Sequence, residues 1–536
     1  MSEVASETSE NKPSVARSTA LMSTATMISR VTGLVRNWAM AFALGNTFLT
    51  SAYQVANNMP NLIYEIVAGG MIGAAFLPVY LLQKEKLGKE GGDRFGTNIL
   101  NIMILILGVL SVFAAIYAPQ VIATQTFTVG SEADVTTYAV SFFRIFAFQI
   151  LFYGIGGIFT GMLNANRIYF LPALAPAFNN IVVIAAFFAY IPLSSTNPDL
   201  AIFILGLGTT IGVAVQFLVQ IPTLIKNGYR YHFFIDWHDP ALIECLKIAV
   251  PTLVYIIGTM VAFTFRNAFS LQAGDNGPST LMYAWTWFQL PYGVIAVSLS
   301  RALFTEMSES VAKDDMQGLR GLVHRGIVDT VLLIVPLATL MGALAVPIMQ
   351  LFEAGAFSSD DVTYVASILA LWVVALPFYS VHMFMHNVFS SLRRLIVFVA
   401  VSCGMVVVQC SLYAFLCRPE ILSLAGVPIA DLIYYSGCMT IMLAVLYRYI
   451  GSFNVKRILW VTLRVVCASA IGLAVEIFLS QVIPWQPGML GGFIRLIVCG
   501  CIGLVVIFGF CRIFKIPEMS AVTSLLKRFM HRKSAS

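Results

Sequence analysis

Charge is what this chain has least of. Asp, Glu, Lys and Arg make up 11% of its 536 residues, against about a quarter in soluble domains, so a water-soluble globule is excluded. A secretory signal peptide is missing as well. The opening "MSEVASETSENKPSVARS" carries three glutamates and has neither a basic start nor a short apolar core. Residues 1–16 are expected to form a disordered cytosolic leader. There is no CxxC pair. The nine cysteines fall in or beside apolar segments from residue 245 onward, which points to buried reduced thiols rather than disulfides or a metal centre. A phosphate-binding glycine loop, a Ser-His-Asp set and a metal-ligand motif are also lacking. The reading is therefore no enzyme, no cofactor, no metal and no nucleic-acid partner. Any transport must draw on a gradient or on the membrane potential.

Apolar sequence is plentiful: 59% of the residues are hydrophobic. Runs long enough to cross a bilayer, about 20 residues each, fall near 19–46, 54–83, 95–118, 136–163, 169–192, 199–225, 244–270, 280–304, 326–352, 363–390, 394–417, 424–450, 458–483 and 488–514. The expected fold is an all-α polytopic membrane protein of fourteen transmembrane helices. Most of the 32 Lys and Arg lie on one side of that arrangement, in stretches such as "QKEKLGKEGGDR" (83–94), "SLRR" (391–394) and "KRFMHRK" (527–533). The opposite connections "TVGSEADV" (128–135), "STNPD" (195–199) and "FEAGAFSSDD" (352–361) contain none. The positive-inside rule then places both termini in the cytosol.

The chain also repeats itself. "LVRNWAMAFALG" (34–45) returns as "TFRNAFSLQAG" (264–274), which sets Arg36-Asn37 over Arg266-Asn267. Further on, Tyr53 aligns with Tyr283 and Pro60 with Pro291. Each repeat holds six spans, so the halves share one topology and are expected to be related by a pseudo-two-fold axis around a central cavity, an architecture of transporters. The expected domains are an N-terminal bundle at 17–230, a C-terminal bundle at 231–450, two added spans at 451–515 and a basic cytosolic tail at 516–536.

Arg30, Arg36 and Arg144 stand inside predicted spans, and Arg266 stands at the repeat position of Arg36. A guanidinium in hydrocarbon costs several kcal/mol and is kept for a reason. The structural explanation is pairing with an acid, and Glu65 is the obvious candidate. The functional explanation is an electropositive cavity for an anion, because Arg matches phosphate with two parallel donors. Glu65 and Asp431 are the acids that sit well inside spans, too few to neutralise the set, and this favours the anion. Pro60 and Asn61 in span 2, Asn179 and Asn180 in "LPALAPAFNN" (171–180), and Pro291 in span 8 are further cavity or gate candidates. His382 and His386, four residues apart, read as a polar helix face rather than metal ligands.

At this point the motifs resemble a known family. "ISRVTGLVRNWAMAFALG" (28–45), "NNMPNLIYEIVAGGMIGAAFLPVY" (57–80), "LNANRIYFLPALAPAFNN" (163–180), "FQLPYGVIAVSLSRALFTEMS" (288–308) and "LFEAGAFSSDDV" (351–362) resemble the MurJ/MviN family of lipid II flippases, in the multidrug/oligosaccharidyl-lipid/polysaccharide exporter superfamily. The resemblance runs in order from about residue 17 to 400. It implies flipping of undecaprenyl-pyrophosphate-linked peptidoglycan precursor across the bacterial cytoplasmic membrane for cell-wall synthesis, with Arg30 and Arg36 facing the pyrophosphate and cell-wall synthesis proteins as possible partners. Two positions depart from the family pattern: Tyr64-Glu65 stands where an arginine follows the PNL motif, and Trp285-Thr286 where an Asp-Arg pair is usual. Arg266 or Arg144 is the candidate replacement for those cations. The sodium-site acids of some members have no counterpart in the interiors of spans 7 and 11, so the coupling ion stays open. Two other readings stand beside this one: a flippase for a different polyprenyl-linked glycan, and a non-transporting membrane scaffold for cell-wall assembly.

Overall fold

The structure, a computed structural model, describes residues 15–69, 71–483 and 486–517. The predicted leader lies almost wholly, and the basic tail mostly, outside the described residues. No strand occurs among those described. Long apolar runs in a bilayer have no water to satisfy their amides, and the helix pairs every one within its own segment.

The chain divides into two compact units. The first holds the described residues up to Ala43 together with Ala52–Ile257. Its helices are α1 (Val15–Leu44), α2 (Phe48–Tyr64), α3 (Leu77–Ile116), α4 (Ala118–Thr126), α5 (Asp134–Phe146), α6 (Gln149–Ala165), α7 (Phe170–Thr196), α8 (Pro198–Leu218), α9 (Ile221–Lys226) and the first half of α10 (Pro240–Ala273). Helices α7 and α8 form the tightest pair, because small residues let their backbones approach. A Cβ on Gly208 would stand 2.5 Å from the Cβ of Ala186. Asn197 closes the hairpin by accepting from the N–H of Leu200 at 3.1 Å, a side-chain cap on an otherwise orphaned donor. Helices α5 and α6 are one predicted span bent by 45°.

The second unit takes in Leu44–Ser51 and everything described from Gly258 on. It contains α11 (Gly277–Pro291), α12 (Val297–Ala312), α13 (Met316–Ala343), α14 (Ala345–Gln350), α15 (Ser359–Trp372), α16 (Leu376–Ser391), α17 (Leu395–Leu416), α18 (Gly426–Ile450), α19 (Val455–Val482) and α20 (Met489–Ile513). Helix α13 is its central rod, buried almost continuously from Gly326 to Pro336. The turn at Gly45 needs glycine twice over: its φ is +67°, and a Cβ would lie 2.4 Å from the carbonyl oxygen of Ala356. His382 does not lie on a polar face. It is 1% exposed and stacks on Phe398 at 5.0 Å, while His386 meets the same ring edge-on at 5.1 Å.

Among the described residues, ten helices are long and apolar enough to cross a membrane, or eleven with the bent α5–α6 pair counted as one span. The other three predicted segments, 19–46, 54–83 and 280–304, are helical but do not meet that standard. Helix α1 carries three arginines, Arg17, Arg30 and Arg36, and α2, α11 and α12 are only 17, 15 and 16 residues long. Span 2 passes through π turns at Glu65–Gly69 and Met71–Phe76, and span 8 through one at Tyr292–Ala296. Both interruptions follow the prolines that the repeat aligns, Pro60 and Pro291.

Candidate substrate site

In the first unit the polar residues of α1 meet α7. Asn180, 5% exposed, donates through Nδ2 to Thr32 Oγ1 at 3.0 Å and to the Ser29 carbonyl at 3.3 Å. Those bonds set the rotation of α1. Arg30 is then exposed and Arg36, six residues on, is half-buried. The Arg36 guanidinium makes one long hydrogen bond, 3.4 Å, to Asn37 Oδ1, and it lies within electrostatic reach of the Tyr53 and Tyr153 hydroxyls. Tyr153 in turn stands 6.0 Å, ring to ring, from Tyr64. Glu65, half-buried, opens the π turn, and its carboxylate folds over Gly69, where a Cβ would be 2.7 Å from Oε2.

Among the described residues the ion pairs within 4.0 Å are Lys313–Glu309 and Arg325–Asp329. Neither Arg30, Arg36, Arg144 nor Arg266 has a carboxylate that close, so the Glu65 pairing weighed above is not made. Arg144 stands on the exposed side of α5. Pro60 is buried and Asn61 exposed at the end of α2, and Pro291 is half-buried. Asn179 donates to Gln216 Oε1 at 3.2 Å, while its own Oδ1 is buried with no partner among the described residues.

Arg266 occupies a different setting, inside the second unit. Its guanidinium carbon lies 4.8 Å from the ring centre of Phe263, 5.3 Å from Trp285 and 5.8 Å from Trp372, an aromatic enclosure that suits a cation. Asp431, 1% exposed, is within electrostatic reach. That carboxylate accepts from Trp372 Nε1 at 2.9 Å, from Gln409 Nε2 at 2.7 Å and from the Tyr413 hydroxyl. Sequence reasoning named Asp431 and Arg266 but not the three donors. It also passed over two buried acids: Asp329, 4% exposed, and Glu476, 2% exposed. Glu476 faces Cys499 and Arg495. A search for single acids inside apolar runs finds both.

Residues 40–496 match the family described as lipid II flippase MurJ. The probable lipid II flippase MurJ of Rhizobium meliloti (strain 1021) is 27% identical over 356 residues, 66% of this chain and 66% of that protein. The lipid II flippase MurJ of Thermosipho africanus (strain TCF52B) is 27% identical over 373 residues, covering 69% and 73%. A solved structure of lipid II flippase MurJ in an inward closed conformation superposes with a TM-score of 0.75 at 25% identity, over 92% of this chain and 98% of that one. An inward-facing multidrug resistance MATE family transporter of the MOP superfamily gives 0.67 at 14% identity, over 81% and 98%, a likeness of fold alone. The match over most of its length makes this chain a member of the MurJ lipid II flippase family.

Proposed function

We propose that this chain flips lipid II from the inner to the outer leaflet of the cytoplasmic membrane by alternating access, without chemical conversion and without a cofactor. One observation carries the reading beyond family membership: Arg36 is half-buried, and no carboxylate of the described residues lies within 4.0 Å of it. A cation held in that way is stabilised when an anion arrives, and a lipid pyrophosphate supplies one. Arg30 and Arg36 are the primary pyrophosphate ligands in this reading, with Arg144 and Arg266 contributing charge. The fourteen spans, the two six-helix bundles with two added helices, and cytosolic termini belong to the same proposal, and the Lys/Arg asymmetry of the loops supports them. An ion gradient or the membrane potential drives the cycle.

The test is depletion of the protein in cells followed by assay of lipid II exposed on the outer leaflet, with rescue by Arg36→Ala or Arg36→Lys. Wild-type protein restores exposure, Ala does not, and Lys restores it in part because it lacks the planar fork. Full rescue by Ala removes the anion site. Normal lipid II exposure after depletion, with a different lipid-linked glycan trapped inside, moves the substrate to that glycan. Rescue by a variant shown to be unable to transport leaves the scaffold reading.

A further inference from the structure

Residues 227–239 connect α9 to α10, and from Tyr229 to Asp236 they run without helix or strand. An extended chain lying on a protein needs partners for its amides, and here two buried asparagines of α3 provide them. Asn98, fully buried, acts on Asp236 as a neighbouring strand would: its Oδ1 accepts from the Asp236 N–H at 2.8 Å, and its Nδ2 donates to the Asp236 carbonyl at 2.9 Å. Asn101, 2% exposed, donates to the carbonyls of His232 and Phe234 at 3.0 and 2.9 Å, and accepts from the Tyr231 hydroxyl at 2.8 Å. The Tyr229 hydroxyl meets Thr97 Oγ1 at 3.1 Å. The strap is thus fixed in register along one face of α3.

That register decides which side chains face away. The carbonyls on both sides of Phe233 are drawn to one asparagine, so the Phe233 ring is held on the opposite edge, where it is 77% exposed. Trp237, one residue beyond the Asn98 clamp, is 49% exposed. A free loop would bury such rings by folding back, but this one is pinned with them outward. The strap begins where the apolar helix Pro198–Lys226 ends, at the level where a span leaves hydrocarbon. The first turns of α10 continue the pattern, with Ile243 and Leu246 exposed beside Glu244 and Lys247. Aromatic rings with polar neighbours at a span end partition to the bilayer interface.

The geometry points to a membrane-interface anchor: Phe233 and Trp237 rest in the carbonyl and headgroup layer of the leaflet on the Lys/Arg-rich side, presented there by Asn98 and Asn101. The occupant is phospholipid, because the rings lie at the end of a span with the polar residues His232, Asp236 and His238 beside them. This holds whatever glycan the protein carries.

The test places p-benzoylphenylalanine at Phe233 of the full-length chain in nanodiscs of phosphatidylethanolamine and phosphatidylglycerol, with photolysis and mass spectrometry. A phospholipid adduct several-fold stronger than at Lys86, an exposed position in the Lys/Arg-rich 83–94 stretch, is expected. No lipid adduct, or an adduct to protein in the same experiment on native membranes, overturns the anchor. Asn101→Leu, or Asn98→Ala if the first variant does not elute as a folded monodisperse species, should at least halve the lipid adduct at Phe233. An unchanged yield in a folded variant overturns the clamp.

Discussion

Tyr53 and Tyr283, aligned by the internal repeat, perform the same task in separate units. Tyr53 is 3% exposed, stands edge-on to Phe142 and Phe146 at 5.6 and 5.5 Å, and shares a 3.0 Å hydrogen bond with Thr209. Tyr283 is fully buried, stands edge-on to Phe357 at 5.2 Å, and donates to the Gly45 carbonyl at 3.0 Å. Each ring fills a phenylalanine socket while its hydroxyl ties a second segment. Tyr→Phe at either position should lower stability by about 1 kcal/mol, and Tyr→Ala by about 3–5 kcal/mol. Thermal unfolding of the purified variants checks both. A neutral Tyr283→Ala would show that the socket does not hold the unit together.

Asp431 gives a second stability prediction. Asp431→Leu strands three donors and leaves Arg266 uncompensated, which should cost about 3–5 kcal/mol. Arg266→Met should also destabilise, and the double variant should lose less than the sum of the two. Strict additivity in a double-mutant cycle would mean that the two charges do not sense each other.

Topology can be read with single cysteines at exposed positions. Ser131, Ser195 and Ser358 should react with an impermeant thiol reagent added to intact cells, whereas Lys86→Cys should react only after permeabilisation. The reverse pattern would invert the orientation that the Lys/Arg distribution assigns.

The π turn of span 8 holds one residue more than an α-helix needs, and such turns concentrate at functional positions. Deleting Val294, which is 55% exposed, should restore a plain α-helix with unchanged or higher thermal stability and should abolish lipid II flipping. Unimpaired flipping by the folded deletion variant would show the turn to be dispensable.

Much of this was legible in the sequence, and the rest fails for identifiable reasons. Among the described residues ten spans stand out, and the bent α5–α6 pair with them, because hydrocarbon demands apolar helix. Segments 19–46, 54–83 and 280–304 blur because they hold Arg36, Glu65 and Thr286, the kind of residue a polar cavity uses. Arg36 and the buried Tyr53 could be anticipated from the repeat, whereas Tyr153 lies outside its aligned stretches. The clamp on Asp236 could not, since Asn98 lies 138 positions away and an asparagine in a helix gives no sign of its partner. Glu476 was hidden by averaging, one acid among apolar neighbours in α19.

The π turn of span 8 also resolves which residues line up along that helix. At about 100° per residue, an unbroken α-helix would swing Ala296, Ser300, Leu303 and Met307 roughly 60–120° away from Phe288. Yet all five are buried. Absorbing one extra residue between Tyr292 and Ala296 sets the phase back by about 100° and returns the four to within about 40° of the Phe288 meridian. The two short helices on either side of Pro291 therefore share a single seam, and the rod keeps one side toward the interior of its unit along its whole length.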